Sequence, residues 1–431
     1  MMKRLSLIGL ACLMNAISVQ AQQPEPLPTP LTLDYVLELS SHMNPDFMRQ
    51  QAHLLQAQAQ QTEADAQDSI NFDLEGRLGK REFFNEEQDY NRAALHMGLP
   101  LYDFGRTTSD NQAWLHDSKA SEYRLQSIEK QFRLDLMRAY FDVLLADARY
   151  RIENEAMAIA YVTLDKIRDA HELGLASDTE LYQSEENYQK ALLKRQRAQA
   201  DLRRLPMLLA NAMGQPGIVV PDLELPELSG PPESLLELEH YLNLALNNNP
   251  EILAARQAYD ASQYRIASAQ AEHGPAIRAD AWLGQLSSYP ETREGNWHAE
   301  VSINIPLYDG GLGKSRIDRE RAQSLQTRAE VFDIEQQVRE QVMNLYFQLK
   351  LLAVERKAVT AGQDAADFNL DYKRALYENE QQTDLGDAMV RISQTHYDAL
   401  EFDLKSALLW AKMQALTGVK NLTEQPKQES E

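Results

Sequence analysis

The sequence predicts a mainly helical protein that also carries four membrane-type β-strands. Three observations lead to this fold class: a tandem repeat at an offset of about 205 residues, long apolar seams with helical spacing, and short segments of alternating apolar and polar residues. Only 18 Gly and 17 Pro occur among 431 residues, which favours long helices over many short elements. The chain contains no run of 18 or more apolar residues, which excludes an α-helical integral membrane protein.

The charge is strongly acidic. There are 43 Lys and Arg against 65 Asp and Glu, so the formal net charge is −22. Without a basic tract, such a chain is a poor candidate for binding nucleic acid or an anionic membrane surface.

The first residues resemble a secretory signal peptide. Residues 1–4 are basic, residues 5–17 are mainly apolar, and Val19-Gln20-Ala21 fits a cleavage site with small residues at its first and third positions. We therefore predict a signal peptide at 1–21 and a mature chain that starts at Gln22. An ordinary N-terminal helix is the alternative.

Cys12 is the only cysteine, and it leaves with the predicted signal peptide. The alternative is a lipid-acylation site, but Gly9 stands where such sites usually have Leu. A mature chain without cysteine suits an oxidising compartment and excludes disulfides, thiol catalysis and Cys-ligated metals.

The chain consists of two copies of one unit. Asn-Pro-Asp-Phe at 44–47 recurs as Asn-Pro-Glu-Ile at 249–252, and Pro-Leu-Tyr-Asp at 100–103 recurs at 306–309. The predicted organisation is a first repeat at 22–215, a proline-rich linker at 216–232, a second repeat at 233–421 and a disordered tail at 422–431.

Each repeat is expected to contain a helix, two strands and two long helices. Asn44 is a good N-cap, Pro45 suits the first helical position and Asp46 complements the helix dipole. The same helix-start signal begins at Asn249 in the second copy. Residues 108–171 contain neither Gly nor Pro and would span roughly 95 Å as a helix. A purely structural coiled coil would show the same seam, whose first positions are Leu125, Ile128, Phe132, Leu136, Ala139, Val143 and Ala146.

Each strand segment has about ten residues, the length of a tilted strand that crosses a bilayer, and its charged face suits a water-filled lumen. A soluble hairpin packed on a helix would alternate in the same way. The residues that we expect to face lipid are Phe72, Leu74, Leu95, Met97, Ala281, Leu283, Val301 and Ile303.

Four strands cannot close a barrel, and a bilayer does not tolerate an open sheet edge, because the backbone groups of that edge would go unpaired. If the strands span the membrane, several chains must therefore share one barrel.

In their order and spacing these features resemble the TolC-like outer-membrane efflux protein family, also called outer-membrane factors. The resemblance covers nearly all of the mature chain. It rests on the tandem repeats, the Asn-Pro helix starts, Pro-Leu-Tyr-Asp-Phe-Gly-Arg at 100–106, Pro-Leu-Tyr-Asp-Gly-Gly at 306–311 and Leu-Gly-Leu-Ala-Ser-Asp at 173–178.

This resemblance implies a homotrimer with a shared twelve-stranded barrel in the outer membrane and a long helical tunnel in the periplasm. It also implies a passive channel that docks a periplasmic adaptor (membrane fusion) protein and an inner-membrane transporter for efflux or type I secretion. Since the transporter supplies the energy, no cofactor is expected. A non-channel periplasmic adaptor or tether with soluble hairpins is the alternative.

The resemblance places the periplasmic entrance at the turns that follow the long helices. Gly174 is expected at the tip of the first turn, where a residue without Cβ eases the chain reversal. Acidic residues beyond the turns are candidates for carboxylate rings that favour cations, namely Asp178, Glu180, Asp384 and Asp387. Asp178 and Asp384 are alternatively helix caps or first-turn acids. The second turn has Glu380 where the family has glycine, which weakens the transfer of residue roles there.

We do not predict an enzyme. The nine histidines show no metal-binding pairing on one helix face, and no Gly-x-Ser-x-Gly motif occurs. Residues 310–315, Gly-Gly-Leu-Gly-Lys-Ser, lack the spacer of a phosphate-binding loop and are predicted to form a hinge between strand and helix.

Overall fold

The computed structural model describes residues 27–39, 45–83, 86–89, 92–286, 295–379 and 385–419. The predicted signal peptide (1–21) and tail (422–431) lie outside these residues, as do Asn44, Glu380 and Asp384. The helices are α1 (Leu33–Leu39), α2 (Pro45–Gln67), α3 (Arg106–Glu172), α4 (Asp178–Ala212), α5 (Leu238–Asn248), α6 (Pro250–Ala271), α7 (Leu312–Glu378) and α8 (Leu385–Thr417). The strands are β1 (Asn71–Arg77), β2 (Lys80–Phe83), β3 (Glu86–Asp89), β4 (Arg92–Tyr102), β5 (Ala276–Leu286) and β6 (Gly295–Asn304).

The two long helices have the same length. α3 and α7 contain 67 residues each, which corresponds to about 100 Å. Each follows a glycine in the left-handed conformation, Gly105 with φ 87° and Gly311 with φ 91°, so the chain turns sharply from strand into helix. The predicted mainly helical fold with four membrane-type strands is confirmed at the level of the chain.

The shorter helices pack along the long ones in two levels. Nearer the strands, α2 and α6 lie against α3, and α6 also contacts α7. Farther from the strands, α4 and α8 lie against α3, and α8 also contacts α7. The result is an elongated bundle. No helix in the described part of the chain carries an apolar segment that would cross a membrane.

The core lies at the middle of the bundle in two clusters. One joins α5, α7 and α8 and includes Tyr241, Val342 and Trp410. The other joins α1 and the segment before it with α3, α4 and α8, and it includes Tyr140 and Leu209. Because α8 contributes buried residues to both clusters, the core is wider than a single coiled-coil seam.

The predicted linker packs onto this middle level. Leu31 bridges to Leu223, and the Leu31 N–H donates to the carbonyl of Asp222 at 2.9 Å. The fully buried Tyr140 hydroxyl lies 2.7 Å from the carbonyl oxygen of Leu31 and 2.6 Å from that of Glu224. Burial raises the pKa of Tyr140 to about 12. One side chain of α3 therefore joins the N-terminal segment to the linker.

The four main strands form one antiparallel sheet in the order β1-β4-β5-β6. β2 and β3 form a separate two-stranded hairpin between β1 and β4, which the sequence did not predict. Its residues are mostly charged and show no clear alternation, so the pattern gave no strand signal there. β1 and β6 are the outer strands of the main sheet, and among the described residues each pairs on one side only.

Candidate functional site

The register of the sheet separates an apolar face from a polar face. Residues that lie directly opposite each other in an antiparallel pair point to the same side. The eight residues predicted to contact lipid all fall on one face. Phe72 lies in a cross-strand row with Met97 and Ala281, and Leu74 lies in a row with Leu95 and Leu283. Val301 and Ile303 lie opposite two further apolar residues of this face, Ala279 and Ile277.

This apolar face is largely uncovered in the chain. Leu74 is 82% exposed and Val301 is 64% exposed, whereas Met97 and Ala281 are half-buried. Trp297 lies on the same face beside Leu283 and is 72% exposed. A soluble protein rarely leaves such a continuous apolar surface in water, so an apolar environment must cover it.

The opposite face carries ionisable and aromatic side chains. Nδ1 of His96 lies 2.8 Å from Asp73 and its Nε2 lies 3.0 Å from Asp280. The His96 ring stacks on Trp282 with centroids 4.7 Å apart, and Trp282 in turn meets His298 at 5.2 Å. Among the described residues, no group of His, Cys, Asp and Glu is arranged to hold a metal ion.

An aspartate holds each corner between strand and long helix. Asp103 accepts hydrogen bonds from the N–H groups of Gly105 and Thr107 at 3.2 and 2.8 Å. Asp309 accepts from Gly311 and Gly313 at 2.8 and 2.7 Å. These acids satisfy backbone N–H groups that a helix start leaves free.

The pKa values of both carboxyls are affected. Burial by itself raises the pKa of Asp103, but hydrogen bonds from Thr107 and Gly105 outweigh it and lower the pKa below its usual value. For Asp309, hydrogen bonds from the N–H groups of Gly313 and then Gly311 lower the pKa. Both acids are therefore charged at neutral pH, which strengthens their hydrogen bonds to the backbone N–H groups of the helix starts.

The first helix turn, between α3 and α4, is closed by backbone bonds at Gly174. Gly174 has φ 72°, its N–H donates to His171 at 2.9 Å, and the Leu175 N–H donates to Ala170 at 2.8 Å. This is a Schellman motif, and it explains why glycine stands at the predicted tip. The neighbours Leu173 and Leu175 are both exposed.

The candidate acids of this turn have local partners. Ser177, not Asp178, is the N-cap of α4: it forms a capping box in which the Glu180 carboxylate accepts the Ser177 N–H at 2.7 Å. This hydrogen bond lowers the pKa of Glu180. Asp178 is the first residue of α4, and its carboxylate lies 2.7 Å from Nε2 of His171.

The second helix turn, between α7 and α8, places Asp387 at a different position along α3 than the first turn places Asp178. Asp387 is exposed in the first turn of α8, and a Cβ on the neighbouring Gly386 would lie 3.1 Å from Ile159 of α3. Ile159 precedes His171 by twelve residues, which is about 18 Å of helix. Asp178 and Asp387 are therefore not brought together within one chain, and Asp384 lies outside the described residues.

The sequence alone assigned no role to Asp103, Asp309 or Ser177 and no partners to His96, although it indicated that the polar face suits a water-filled lumen. An Asp two residues before a glycine at a helix start was a usable signal for the first two, and Ser-x-x-Glu was one for Ser177. No sequence signal identified the partners of His96, because Asp73 and Asp280 are set by strand register.

Comparison with known proteins decides the family. The profile of the outer membrane efflux protein family matches residues 36–215 and 241–419. The chain belongs to the outer membrane efflux protein family. The resemblance seen in the sequence is thereby confirmed.

Relatives of this outer membrane efflux protein include one protein named for efflux and one named for protease secretion. The outer membrane efflux protein BepC of Brucella suis biovar 1 is 23% identical over 318 residues, covering 71% of this chain and 69% of BepC. The alkaline protease secretion protein AprF of Pseudomonas aeruginosa is 23% identical over 376 residues, covering 78% of this chain and 72% of AprF.

A solved structure shares the fold. The CmeC outer membrane channel of Campylobacter jejuni superposes with a TM-score of 0.75 at 14% identity, covering 90% of this chain and 85% of CmeC. The family and the fold are those of channel proteins rather than of enzymes.

Proposed function

We propose that the protein is the outer-membrane duct of a tripartite efflux or type I secretion system. Three copies contribute four strands each to one twelve-stranded barrel, and their long helices form a tunnel in the periplasm. Substrate that an inner-membrane transporter and a periplasmic adaptor deliver passes through without chemical change. The duct needs no cofactor because the transporter supplies the energy.

The observation that carries this proposal is the sheet with one exposed apolar face and one polar face. Lipid covers the apolar side, from Phe72 on β1 to Val301 on β6, and the ionisable side faces a water-filled lumen. β1 and β6 each leave one edge unpaired within the described part of the chain. Since unpaired backbone groups are costly in hydrocarbon, the edges pair with copies of the same chain.

An exposed apolar stripe along α7 supports the assembly of copies. Its members recur at helical spacing and remain uncovered in the single chain over much of the length of α7. A neighbouring copy would bury them and close the helical tunnel. They are Leu325, Phe332, Phe347, Leu351, Val354, Phe368 and Tyr372.

The periplasmic entrance is proposed at the helix turns. The exposed Leu173 and Leu175 at the first tip offer an apolar contact for the adaptor. Asp178, Glu180, Asp384 and Asp387 are kept as candidate gate acids, with one refinement. The capping box of Glu180 gives that residue a structural task, so Asp178 and Asp387 are the stronger candidates.

The names of the relatives leave two substrate classes open. BepC is named as an efflux protein and AprF as a protease secretion protein. The duct therefore serves either small molecules or a secreted protein, and the transporter decides which.

The test compares two adjacent positions on β6. Val301→Arg puts a charge on the apolar face, where it costs roughly 2–4 kcal/mol in the middle of a bilayer. Ser302→Arg puts the same charge on the polar face and is the matched control. The mass of the detergent-extracted particle, corrected for bound detergent, is measured for each.

We expect three chains per particle for the unaltered protein and for Ser302→Arg, and loss of the membrane-inserted trimer for Val301→Arg. Equal insertion of both variants, or a monomer that is released without detergent, would contradict the duct and favour a periplasmic adaptor or tether.

A further inference from the structure

The polar face of the sheet contains a transverse row that the duct function does not explain. Asp73 on β1 lies opposite His96 on β4, His96 lies opposite Trp282 on β5, and Trp282 lies opposite His298 on β6. We call these four residues the histidine belt. It lies about 20 Å along β4 from the corner at Asp103.

The next row toward the corner adds carboxylates. Asp280 lies opposite Gly98 and Glu300. A Cβ on Gly98 would lie 2.6 Å from the Arg278 guanidinium and 3.2 Å from the Asp280 carboxylate. Because Gly98 has no side chain, these charged groups converge above β4.

Ionisable groups of the described sheet face the two histidines from β1, β5 and β6. Glu75, the next residue of β1 on the polar face, is balanced by Arg77 at 3.5 Å. His96 faces Asp73 on one neighbouring strand and Asp280 on the other, and Asp280 also pairs with Arg278 at 3.3 Å. His298 faces Glu300 at 3.0 Å on its own strand and the Trp282 ring on β5.

We propose that the histidine belt makes the ion selectivity of the barrel lumen depend on pH. This proposal rests on the proposed function. In it, His96 and His298 determine which ions pass through the lumen. With neutral histidines, three carboxylates and one guanidinium leave two net negative charges per chain, and the lumen favours cations. Two charged imidazoles per chain cancel this excess.

The two carboxylates beside the His96 ring favour the charged imidazolium. A neutral imidazole has one N–H and donates to one carboxylate, whereas an imidazolium donates to two. His96 has a carboxylate beside each ring nitrogen, so gain of a proton completes both hydrogen bonds. Histidine changes charge between pH 5 and 8, so acid outside the cell would reduce the preference for cations.

The size of the effect follows from the number of charges. In water, one elementary charge about 10 Å from the path of an ion changes the local ion concentration roughly two-fold. Up to six charges change in three chains, and salt screens part of their effect. We therefore expect the cation-to-anion permeability ratio to fall about three- to ten-fold between pH 8 and pH 5.

The experiment measures reversal potentials of the full-length trimer in planar lipid bilayers under a KCl gradient, at several pH values from 8 to 5. The unaltered protein should lose cation preference as the pH falls. The double variant His96→Gln/His298→Gln should keep a constant ratio. His396→Gln, which changes an exposed histidine on α8, is the matched control and should titrate like the unaltered protein.

A second variant tests the charge of the histidine belt while keeping both histidines. Asp280→Asn/Glu300→Gln should lower the cation preference at pH 8, because the charges of Asp73 and Arg278 then cancel. It should produce anion preference at pH 5, because the imidazolium charges are then in excess. Titration of the ratio in the histidine double variant, or a constant ratio in a conducting unaltered protein, would overturn the belt and leave the duct standing. An unaltered protein that forms no conducting pore would overturn the duct and the belt together.

Discussion

At the corner between strand and long helix, the two halves of the chain use the same aspartate with different surroundings. Asp103 is joined by the hydroxyl of Thr107, whereas Asp309 is joined by Nε2 of His273 at 3.1 Å. The position of Thr107 corresponds to Gly313, where a Cβ would overlap the His273 ring. In the first half a residue of α3 fills the space beside the aspartate, whereas in the second half a residue of the turn after α6 fills it.

The middle of the bundle shows a second difference between the halves. Tyr140 and Tyr346 occupy the same position of the repeat, 206 residues apart, and both are buried. Tyr140 uses its hydroxyl to bridge the carbonyls of Leu31 and Glu224. Tyr346 packs its ring against Tyr241 at 6.0 Å.

Together these pairs show that the repeat preserves the backbone path and the apolar positions but leaves the side-chain partners free to differ. The backbone N–H groups of each helix start need an acceptor in both halves, so the aspartate recurs. The groups beside it depend on which helix lies near, and these helices are not equivalent in the two halves.

The largest effect is expected at the tyrosine pair. Tyr140→Phe removes the O–H group that contacts both the Leu31 and the Glu224 carbonyls, and it should lower the stability by about 1–3 kcal/mol. Tyr346→Phe keeps the ring and should cost less than about 0.5 kcal/mol. Thermal unfolding of the detergent-purified protein measures both, and equal losses would contradict different roles for the two hydroxyls.

The stability of the protein at alkaline pH gives an independent check on the role of Tyr140. Its pKa is about 12 in the folded chain, above the ordinary value of 10, so its contribution is complete below pH 10 and is lost as the pH rises toward 12. Tyr140→Phe should therefore flatten the fall in unfolding temperature over this range. An unchanged alkaline profile would argue against a buried Tyr140 hydroxyl.

The next effect is expected at the corner aspartates. Asp103→Ala removes the acceptor of two backbone N–H groups and should cost about 1–2 kcal/mol. Asp309→Ala should cost less, because the Asp309 side chain is more open to water. Amide hydrogen exchange in the first turns of α3 and α7 reports each loss locally, and faster exchange in α7 than in α3 would reverse the ranking.

The same corners predict acid sensitivity. The pKa of both carboxyls is lower in the folded chain than in an unfolded one, so their contribution is present above about pH 4 and is lost as the pH falls further. Asp103→Ala should show a smaller drop in unfolding temperature below pH 4 than the unaltered protein shows.

The smallest effect is expected at the helix turns. Ser177→Ala removes the cap of α4 and should cost about 1 kcal/mol or less, since the turn is exposed. The second half has Gly386 at the position of Glu180, so the same capping box cannot form there. Faster amide exchange confined to the start of α4 is the expected result, and no change there would show that Gly174 alone holds the turn.

Much of the fold was predictable because it depends on local periodicity. The four main strands and the two long helices follow from alternation and apolar seams, and the structure contains all of them. Gly174 lies between α3 and α4 with φ 72°. Four of the seam positions of α3 given above are buried, including Phe132, Leu136 and Val143. The partners of these positions were not predictable, because contacts between helices far apart in the chain leave no periodic signal.

The amino-acid sequence by itself determined the tandem repeat, the type of each main element and the two faces of the strands, since these are properties of neighbouring residues. Only the tertiary structure decided the heights of Asp178 and Asp387, the bridge at Tyr140 and the row from Asp73 to His298. These features depend on register and packing between segments up to 225 residues apart, where a shift of one residue would turn a side chain to the opposite face.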